Sequence, residues 1–166
     1  RIAIGVTPAA PNEVFFLAAY NDPSGGNDFN GLYRSTNSGS TFTEINPSHE
    51  PALGSQQWYD WSFTVDPNDE DIMFAGGVHL ERSTNGGNTW TRITNNGDNV
   101  HVDHHALWLN PNRDKHIING NDGGVNISYD DGKTWVKCNS PAVGQFYTVN
   151  YDMAKPYNIY GGFQDN

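Results

Sequence analysis

The sequence has few basic residues, a single cysteine and no long apolar run. Lysine and arginine total 9 against 19 aspartates and glutamates, which gives a formal net charge of −10. Because affinity for nucleic acid rests largely on cationic side chains that neutralise phosphates, no nucleic-acid partner is expected. Cys138 alone permits no internal disulfide. No apolar run approaches the roughly 18 residues of a membrane helix, so no membrane span is expected either.

The residues that are present favour an all-β protein. The hydrophobic share of 36% is low, whereas glycine (18 residues) and proline (9 residues) are frequent, so turns must be frequent too. Aromatic residues make up 13% of the chain and supply large rings for a core built from short strands.

Three eight-residue segments repeat one pattern: STNSGSTF (35–42), STNGGNTW (83–90) and SYDDGKTW (128–135). Each has Ser, then Asn or Asp, Gly and Thr at alternate positions, and closes on an aromatic residue. The segments recur after 48 and 45 residues. A period of roughly 40 to 50 residues is what a four-stranded propeller blade requires.

The third segment has two competing interpretations, and both fail. A calcium loop needs a closing glutamate, which is missing, and a phosphate loop needs a glycine where Ile127 stands. The segments are therefore interpreted as structural hairpins between the third and fourth strands of each blade. The residues assigned to them are Ser35, Asn37, Gly39, Phe42, Ser83, Asn85, Gly87, Trp90, Ser128, Asp130, Gly132 and Trp135.

Alignment on these hairpins predicts about three and a half four-stranded blades, at residues 1–46, 58–94, 104–139 and, in part, 145–166. The predicted fold is an all-β propeller fragment that lacks the rest of its ring. Because each blade buries its faces against its neighbours, the expected partners are the remaining blades or another protein chain.

The repeated pattern resembles the Asp-box, or bacterial neuraminidase repeat, of sialidases, sortilin-type receptors and xyloglucan-hydrolysing propellers. The segments HVDHHALWLNP, GNDGGVNISYDDGKTW, VGQFYTVNYD and PYNIYGGFQDN are similar to a family of large secreted bacterial sortilin-like propeller proteins, which also carry the description glycosyl hydrolase. The resemblance implies a secreted or cell-surface bacterial protein.

Propeller connectivity predicts where chemistry would sit. Blade-to-blade connections and loops between second and third strands share one face, and HVDHH (101–105), NDGG (121–124) and QDN (164–166) all fall there. Candidate ligand-binding residues are His101, His104, His105, Asn121, Gln164, Asp165, Trp58 and Tyr59, the last two as a stacking platform for sugar rings. Trp61 is expected in the core.

Two kinds of metal site are candidates on this face. His104 with Asp103 suits zinc, and the insertion at 21–31, with Asp22 and Asp28, suits calcium. The alternative is a hydrogen-bonded network that bridges blades and binds no ion.

A catalytic pair is the remaining hypothesis. Asp122 in NDGG distantly resembles the acid motif Gly-Asp-x-Gly-Gly of xyloglucan-hydrolysing propellers, although Asn121 replaces its first glycine. Asp103 is the assigned partner, and Asp60 and Asp165 are alternatives. Sialidase activity is disfavoured because Arg34 and Arg82 recur at one motif position and are therefore interpreted as architectural.

Two functions follow. The leading one is a sortilin-like binding propeller for a glycan or peptide ligand. The alternative is a glycoside hydrolase with paired carboxylates at the channel mouth.

Overall fold

The computed structural model describes residues 1–20, 29–45, 48–94, 99–138 and 146–163. The described residues form three four-stranded antiparallel sheets and one two-stranded pair, and in each of them neighbouring strands follow chain order. The first sheet contains β1 (Ile2–Gly5), β2 (Val14–Ala19), β3 (Phe29–Ser35) and β4 (Thr43–Glu44). The second contains β5 (Ser62–Val65), β6 (Met73–Gly76), β7 (Leu80–Ser83) and β8 (Thr91–Arg92). The third contains β9 (His104–Leu109), β10 (Ile117–Asn121), β11 (Gly124–Ser128) and β12 (Val136–Cys138), and the pair is β13 (Phe146–Tyr151) with β14 (Ile159–Phe163).

The all-β propeller prediction is confirmed, and each predicted strand is present. The outer strands are short: of the residues that follow the second hairpin, only Thr91–Arg92 pairs with β7. The Thr and aromatic residues of each repeat instead belong to the hairpin, because Thr89 donates its backbone N–H to Asn85 rather than to a strand.

The core lies between the sheets. Phe15, Leu17 and Leu32 of the first sheet pack against Trp61 and Met73 of the second, and all are buried. The inner strands approach closely at Gly5, where an added Cβ would lie 2.6 Å from a ring carbon of Phe63. This arrangement, in which apolar sheet faces stack around an axis, is that of propeller blades.

A smaller cluster joins the second and third sheets. Phe74 packs with Leu109 and Ile117, and the half-buried Trp135 lies against them. Trp135 donates its indole N–H to the Ile93 carbonyl of the preceding sheet at 3.4 Å. The closing aromatic of this repeat therefore packs across a blade boundary.

The three hairpins share one hydrogen-bond arrangement. In the third, Ser128 Oγ accepts the backbone N–H groups of Asp130 (3.3 Å) and Gly132 (2.8 Å) and donates to Asp130 Oδ1 (2.9 Å). The hydroxyl thus uses its one donor and both lone pairs. The other two hairpins repeat these bonds from Ser35 and Ser83.

Asparagine and aspartate serve equally well at the second motif position. Asn85 Nδ2 donates to Thr89 Oγ1 at 2.9 Å, whereas Thr134 Oγ1 donates to Asp130 Oδ2 at 2.7 Å. The threonine hydroxyl reverses its role, which explains why the repeat accepts either residue.

Each hairpin is also tied to the turn between the first two strands of its own sheet. The backbone N–H groups of Ser38, Gly86 and Asp131 donate to the carbonyls of Asn12, Asp71 and Lys115 at 2.8, 2.9 and 3.2 Å. All three donors have positive φ (58°, 66° and 63°). The left-handed backbone turns the N–H towards the neighbouring turn.

The first turn of each unit carries a second repeat, which the hairpin pattern did not predict. In each unit a side-chain oxygen accepts the backbone N–H of the residue two positions later. The accepting residues are Thr7 (3.2 Å), Asp66 (2.8 Å), Asn110 (2.9 Å) and Asp152 (2.9 Å). A short polar side chain just after an inner strand was the available sequence signal. Thr7 Oγ1 also donates to the Asp66 carbonyl at 2.6 Å, which links two blades.

Large apolar side chains remain exposed on both flanks of the described sheets. One flank shows Ile2, Ile4 and Val6, each at least 63% exposed, and the other shows Trp108 and Val136. Exposed apolar faces of this kind are where neighbouring blades pack in a complete ring. None of the described segments forms a helix with the length and hydrophobicity needed to cross a membrane.

Candidate functional site

At the end of the sheets opposite the three repeat hairpins, chain segments pack on one another through backbone hydrogen bonds. His79, in the β6–β7 loop, donates its backbone N–H to the Leu53 carbonyl (3.2 Å), and Asp103 and His104 donate theirs to Val78 (3.3 Å) and Gly77 (2.7 Å). The connections that enter the second and third sheets therefore both pack on the β6–β7 loop. This is the face on which the sequence placed the candidate site.

In the third sheet, the entering segment HVDHH (101–105) packs on the β10–β11 loop NDGG (121–124). A Cβ added to Gly123 would lie 2.4 Å from His101 Cβ, so only glycine allows this close approach. Asn121 Oδ1 accepts the Gly123 N–H at 3.0 Å, and Asn121 Nδ2 donates to Asn126 Oδ1 at 2.9 Å. Asn121 shapes the turn, and its side-chain bonds are to the protein itself.

The surface of this face is formed by an imidazole and a carboxylate beside two aromatic rings. His105 Nε2 lies 2.7 Å from Asp122 Oδ1. The Tyr59 ring stands edge-on to the His105 ring with centroids 4.9 Å apart, and Trp58 lies 5.7 Å from Tyr59. Trp58 and Tyr59 are each 39% exposed, which leaves ring surface free for a ligand.

The aromatic pair is held by its backbone. Tyr59 donates its N–H to the Gln56 carbonyl at 2.7 Å, and Gln57, buried beneath, donates to the Gly54 carbonyl at 2.6 Å. Arg1 donates to the carbonyls of Trp58 and Tyr59. These hydrogen bonds fix the backbone of the turn, on which both rings remain exposed.

Next to the aromatic pair in the chain lies the buried carboxyl group of Asp60, which is coupled to the half-buried Asp103. Asp60 is 0% exposed, and neither of its oxygens accepts a hydrogen bond from an N–H or O–H group of the described residues. Burial raises the pKa of Asp60 to about 7, and the neighbouring Asp103 and Asp122 carboxyls act in the same direction. The charges of Asp60 and Asp103 are therefore electrostatically coupled.

Asp103 occupies a constrained position between these groups. Its φ is 67°, and its Oδ1 is buried without a donor among the described residues. Burial and then Asp122 raise the pKa of Asp103, while the hydrogen bond from Asp60 and the imidazoles of His101 and His105 lower it. The structure therefore brings Asp60, Asp103 and Asp122 into one electrostatic cluster.

His104 does not reach this surface. It is 0% exposed between the second and third sheets, with Nδ1 3.1 Å from Asn119 Oδ1. Burial lowers its pKa to about 4, so the ring is neutral and joins the two sheets. This environment does not fit the ligand-binding or zinc-binding role assigned to His104, and in the described ranges no three His, Cys, Asp or Glu side chains are grouped to hold a metal.

Other candidate residues lie outside the part of the chain that the structure describes. These are Gln164, Asp165 and the calcium candidates Asp22 and Asp28. Trp61, expected in the core, is 5% exposed and donates its indole N–H to the Leu17 carbonyl at 3.4 Å.

Three-dimensional comparison finds propeller structures that cover most of this chain. A GH74 enzyme from Niastella koreensis matches at 24% identity and a TM-score of 0.61, over 89% of this chain and 24% of its own. The GH74 xyloglucanase from Xanthomonas campestris matches at 18% identity and the same TM-score, over 90% and 24%. YCF48 bound to D1 peptide matches at 14% identity and a TM-score of 0.56, over 91% and 44%.

These similarities establish the fold. The chain spans about a quarter of the length of either GH74 enzyme and less than half of YCF48. No protein-family model matches the chain, and comparison with curated protein sequences finds no match. The chain is thus part of a β-propeller whose structural neighbours include glycoside hydrolases and a peptide-bound propeller.

Proposed function

We propose that this propeller binds glycan chains on the face that carries Trp58, Tyr59, His105 and Asp122. The observation that carries the proposal is the exposed aromatic pair beside the hydrogen-bonded His105–Asp122 pair. Sugar rings offer an apolar face that packs on aromatic rings and hydroxyl groups that bond to carboxylates and imidazoles. A glycan ligand also agrees with the extracellular location that the sequence resemblance implies.

Binding is favoured over hydrolysis by the burial of Asp60. An acid that protonates a glycosidic oxygen must touch the substrate, and Asp60, whose pKa is raised to about 7, is fully buried. Hydrolysis would therefore depend on Asp103 and Asp122. It is the second candidate function because both carboxyls belong to the cluster and GH74 enzymes are among the structural neighbours.

The test is binding of the purified full-length protein to a panel of soluble polysaccharides, measured by affinity electrophoresis and calorimetry. Trp58→Ala and Tyr59→Ala are each expected to weaken binding about tenfold, the effect of losing roughly 1.4 kcal/mol of stacking. Tyr157→Ala is the matched control, since Tyr157 is 65% exposed on the β13–β14 loop, at the other end of the strands.

Two outcomes would replace the proposal. Release of reducing ends by the wild type, abolished in Asp103→Asn or Asp122→Asn, would establish the hydrolase. Binding of extended peptides by this face, with no polysaccharide bound, would establish a peptide receptor of the kind that the YCF48 complex represents.

A further inference from the structure

The β13–β14 pair holds the same place in the repeat as the first two strands of the second and third sheets. Asp152 accepts the backbone N–H two residues later, as do Asp66 and Asn110. The backbone N–H groups of these three turn residues also donate across the turn, to the carbonyls of Asn158 (3.1 Å), Ile72 (2.8 Å) and His116 (3.0 Å) respectively. The turn residue therefore aligns the units position by position.

The alignment shows which face of β13–β14 corresponds to the buried faces of the other sheets. The cross-strand pair Leu109–Ile117 of the third sheet packs with Phe74 of the second. Tyr151 and Ile159 form the equivalent pair in β13–β14, where they are 67% and 61% exposed. In the repeat, this face is the one that packs on the preceding sheet.

This face of β13–β14 contains an apolar hollow. Its volume is about 510 Å³, and it is lined mainly by Val149, Tyr151, Met153, Tyr157 and Ile159. The loop at its rim is fixed, because the Asp152 carboxylate accepts hydrogen bonds from Asn158 Nδ2 (2.7 Å) and the Tyr160 hydroxyl (3.0 Å). The hollow is therefore preformed and offers space for a large apolar side chain.

The third sheet presents such a side chain on its free flank. Trp108 is 47% exposed and lies in register, across the sheet, with Ile118, Ile127 and Val136. Ile118 holds the position of Phe74 in the second sheet, and the face that carries Phe74 is covered by the sheet that follows. The face that carries Trp108 is thus the one that the next unit should cover.

The inner-strand residues at successive junctions are complementary in size. Gly5 approaches the next sheet so closely that an added Cβ would lie 2.6 Å from a ring carbon of Phe63. The two equivalent positions hold Thr64 and Leu107 at the second junction, and Trp108 and Val149 at the third. As the first residue of the pair grows, the second shrinks, which is what close packing between neighbouring strands requires.

We propose that the Trp108 ring fills the hollow of β13–β14, so that the third sheet of the same chain is the partner of this hairpin. In the structure both faces are exposed, and among the described residues no hydrogen bond or ring contact joins them. Docking would remove a tryptophan ring and the apolar lining of the hollow from water, which is favourable. The inference concerns an interface within the chain and does not depend on glycan binding.

The test is disulfide cross-linking in the full-length protein, with Cys138→Ser to remove the native thiol of this chain and with Trp108 kept. Ala106→Cys, two residues before Trp108 on the same face of β9, is combined with Val149→Cys. The matched control combines it with Asn150→Cys, because Asn150 is the next residue of β13 and its side chain lies on the opposite face. Under mild oxidation the first pair is expected to close within one chain about tenfold faster than the control, since a disulfide needs Cβ atoms that face each other.

Trp108→Ala, added to the first cysteine pair, tests whether the ring itself holds the hairpin. It should slow cross-linking about tenfold, because the hollow loses the side chain that fills it. Val136→Ala is the comparison: Val136 lies on β12 at the outer edge of the same face, so its truncation should slow cross-linking far less. Thermal unfolding verifies that each variant is folded.

The opposing outcomes are distinct. Equal rates for the two cysteine pairs, or no disulfide in either, would overturn the docked arrangement. A disulfide between two molecules, seen as a dimer on a non-reducing gel and suppressed by dilution, would assign the hollow to a second copy of the chain. A rate that is unchanged by Trp108→Ala would overturn the role of the tryptophan.

Discussion

Arg82 Nη2 lies 3.1 Å from Asp131 Oδ2, so a side chain of β7 forms an ion pair with the repeat hairpin (128–135) of the next sheet. The same guanidinium lies over the Phe74 ring at 5.8 Å. Arg34, at the equivalent position of the first sheet, also covers a phenylalanine, Phe15, but pairs with Glu13 of its own sheet. Arg34 and Arg82 therefore each cover a phenylalanine in the second strand of their sheet, and Arg82 also links two blades.

Replacing Arg82 by methionine is expected to lower the free energy of unfolding by about 1 to 3 kcal/mol. Both partners are largely buried, with side-chain exposures of 19% and 12%, so the substitution leaves Asp131 without its cation in a poorly solvated place. Urea unfolding measures the loss. Arg113→Met, which removes a cation from the exposed Tyr129 ring, should change stability far less.

A double-mutant cycle with Asp131→Asn separates the ion pair from the ring contact. Asparagine tolerates the left-handed φ of 63° at this position, so it removes charge with little backbone strain. A coupling energy near zero would show that Arg82 acts only by covering Phe74.

The glycines of two hairpins should differ in their tolerance of alanine. Gly39 and Gly87 have nearly the same φ, 86° and 85°, so an alanine at either position incurs the same left-handed strain of about 1 to 2 kcal/mol. An added Cβ on Gly87 would also lie 2.4 Å from Leu32 Cδ2 of the neighbouring sheet, whereas the nearest atom to Gly39 is 3.9 Å away.

Gly87→Ala is therefore expected to destabilise the protein by about 1 to 3 kcal/mol more than Gly39→Ala, the usual effect of overpacking a core. Thermal and urea unfolding of the two variants provide the comparison. Equal losses would mean that Leu32 moves aside freely and that the blade contact at Gly87 is loose.

Substitution of Ser83, the motif serine of the second hairpin, should lower the free energy of unfolding more than substitution of its neighbour Thr84. Ser83→Ala removes the acceptor for the N–H groups of Asn85 and Gly87, at 3.3 and 2.9 Å, in a residue that is 1% exposed. A loss of about 1 to 3 kcal/mol is expected, the effect of leaving buried donors unpaired. Thr84→Ala, one residue later on the exposed side, is the control and should be nearly neutral in urea unfolding.

Much of the fold was predictable because its signals are local and repeated. The Ser-x-Asx-x-Gly-x-Thr spacing encodes a closed set of side-chain to backbone bonds, so three copies locate three hairpins. The turn repeat at Thr7, Asp66, Asn110 and Asp152 was equally local but was missed, since single Asx or Thr residues carry little pattern without the aligned strands.

The candidate site was predicted less well, for a physical reason. Connectivity correctly indicates that His101 meets the 121–124 loop, as its contact with Gly123 shows. Connectivity says nothing of which side chains turn inward. The bulge where β9 meets the end of β10 decides that His104 is buried and that its neighbour His105 is exposed, and pattern alone cannot fix the parity across a bulge.

Stability should depend on pH through Asp60. Its folded-state pKa of about 7 lies above the ordinary aspartate value of about 3.9, because burial disfavours the ionised form. The folded protein thus binds more protons than the unfolded chain between these two values. By linkage, the free energy of unfolding falls as pH rises through this window and levels off above it, for a total loss on the order of 2 to 4 kcal/mol.

Asp60→Asn tests this dependence, since asparagine keeps the size of the side chain but cannot ionise. Unfolding of the variant, followed in urea from about pH 5 to about pH 8.5, should lose much less stability than the wild type, and at the alkaline end the variant should be the more stable protein. Asp66→Asn is the comparison, because burial also raises the pKa of Asp66 at the opposite end of the sheets. If wild type and Asp60→Asn instead lose stability in parallel, Asp60 is already ionised in the folded protein and burial does not raise its pKa.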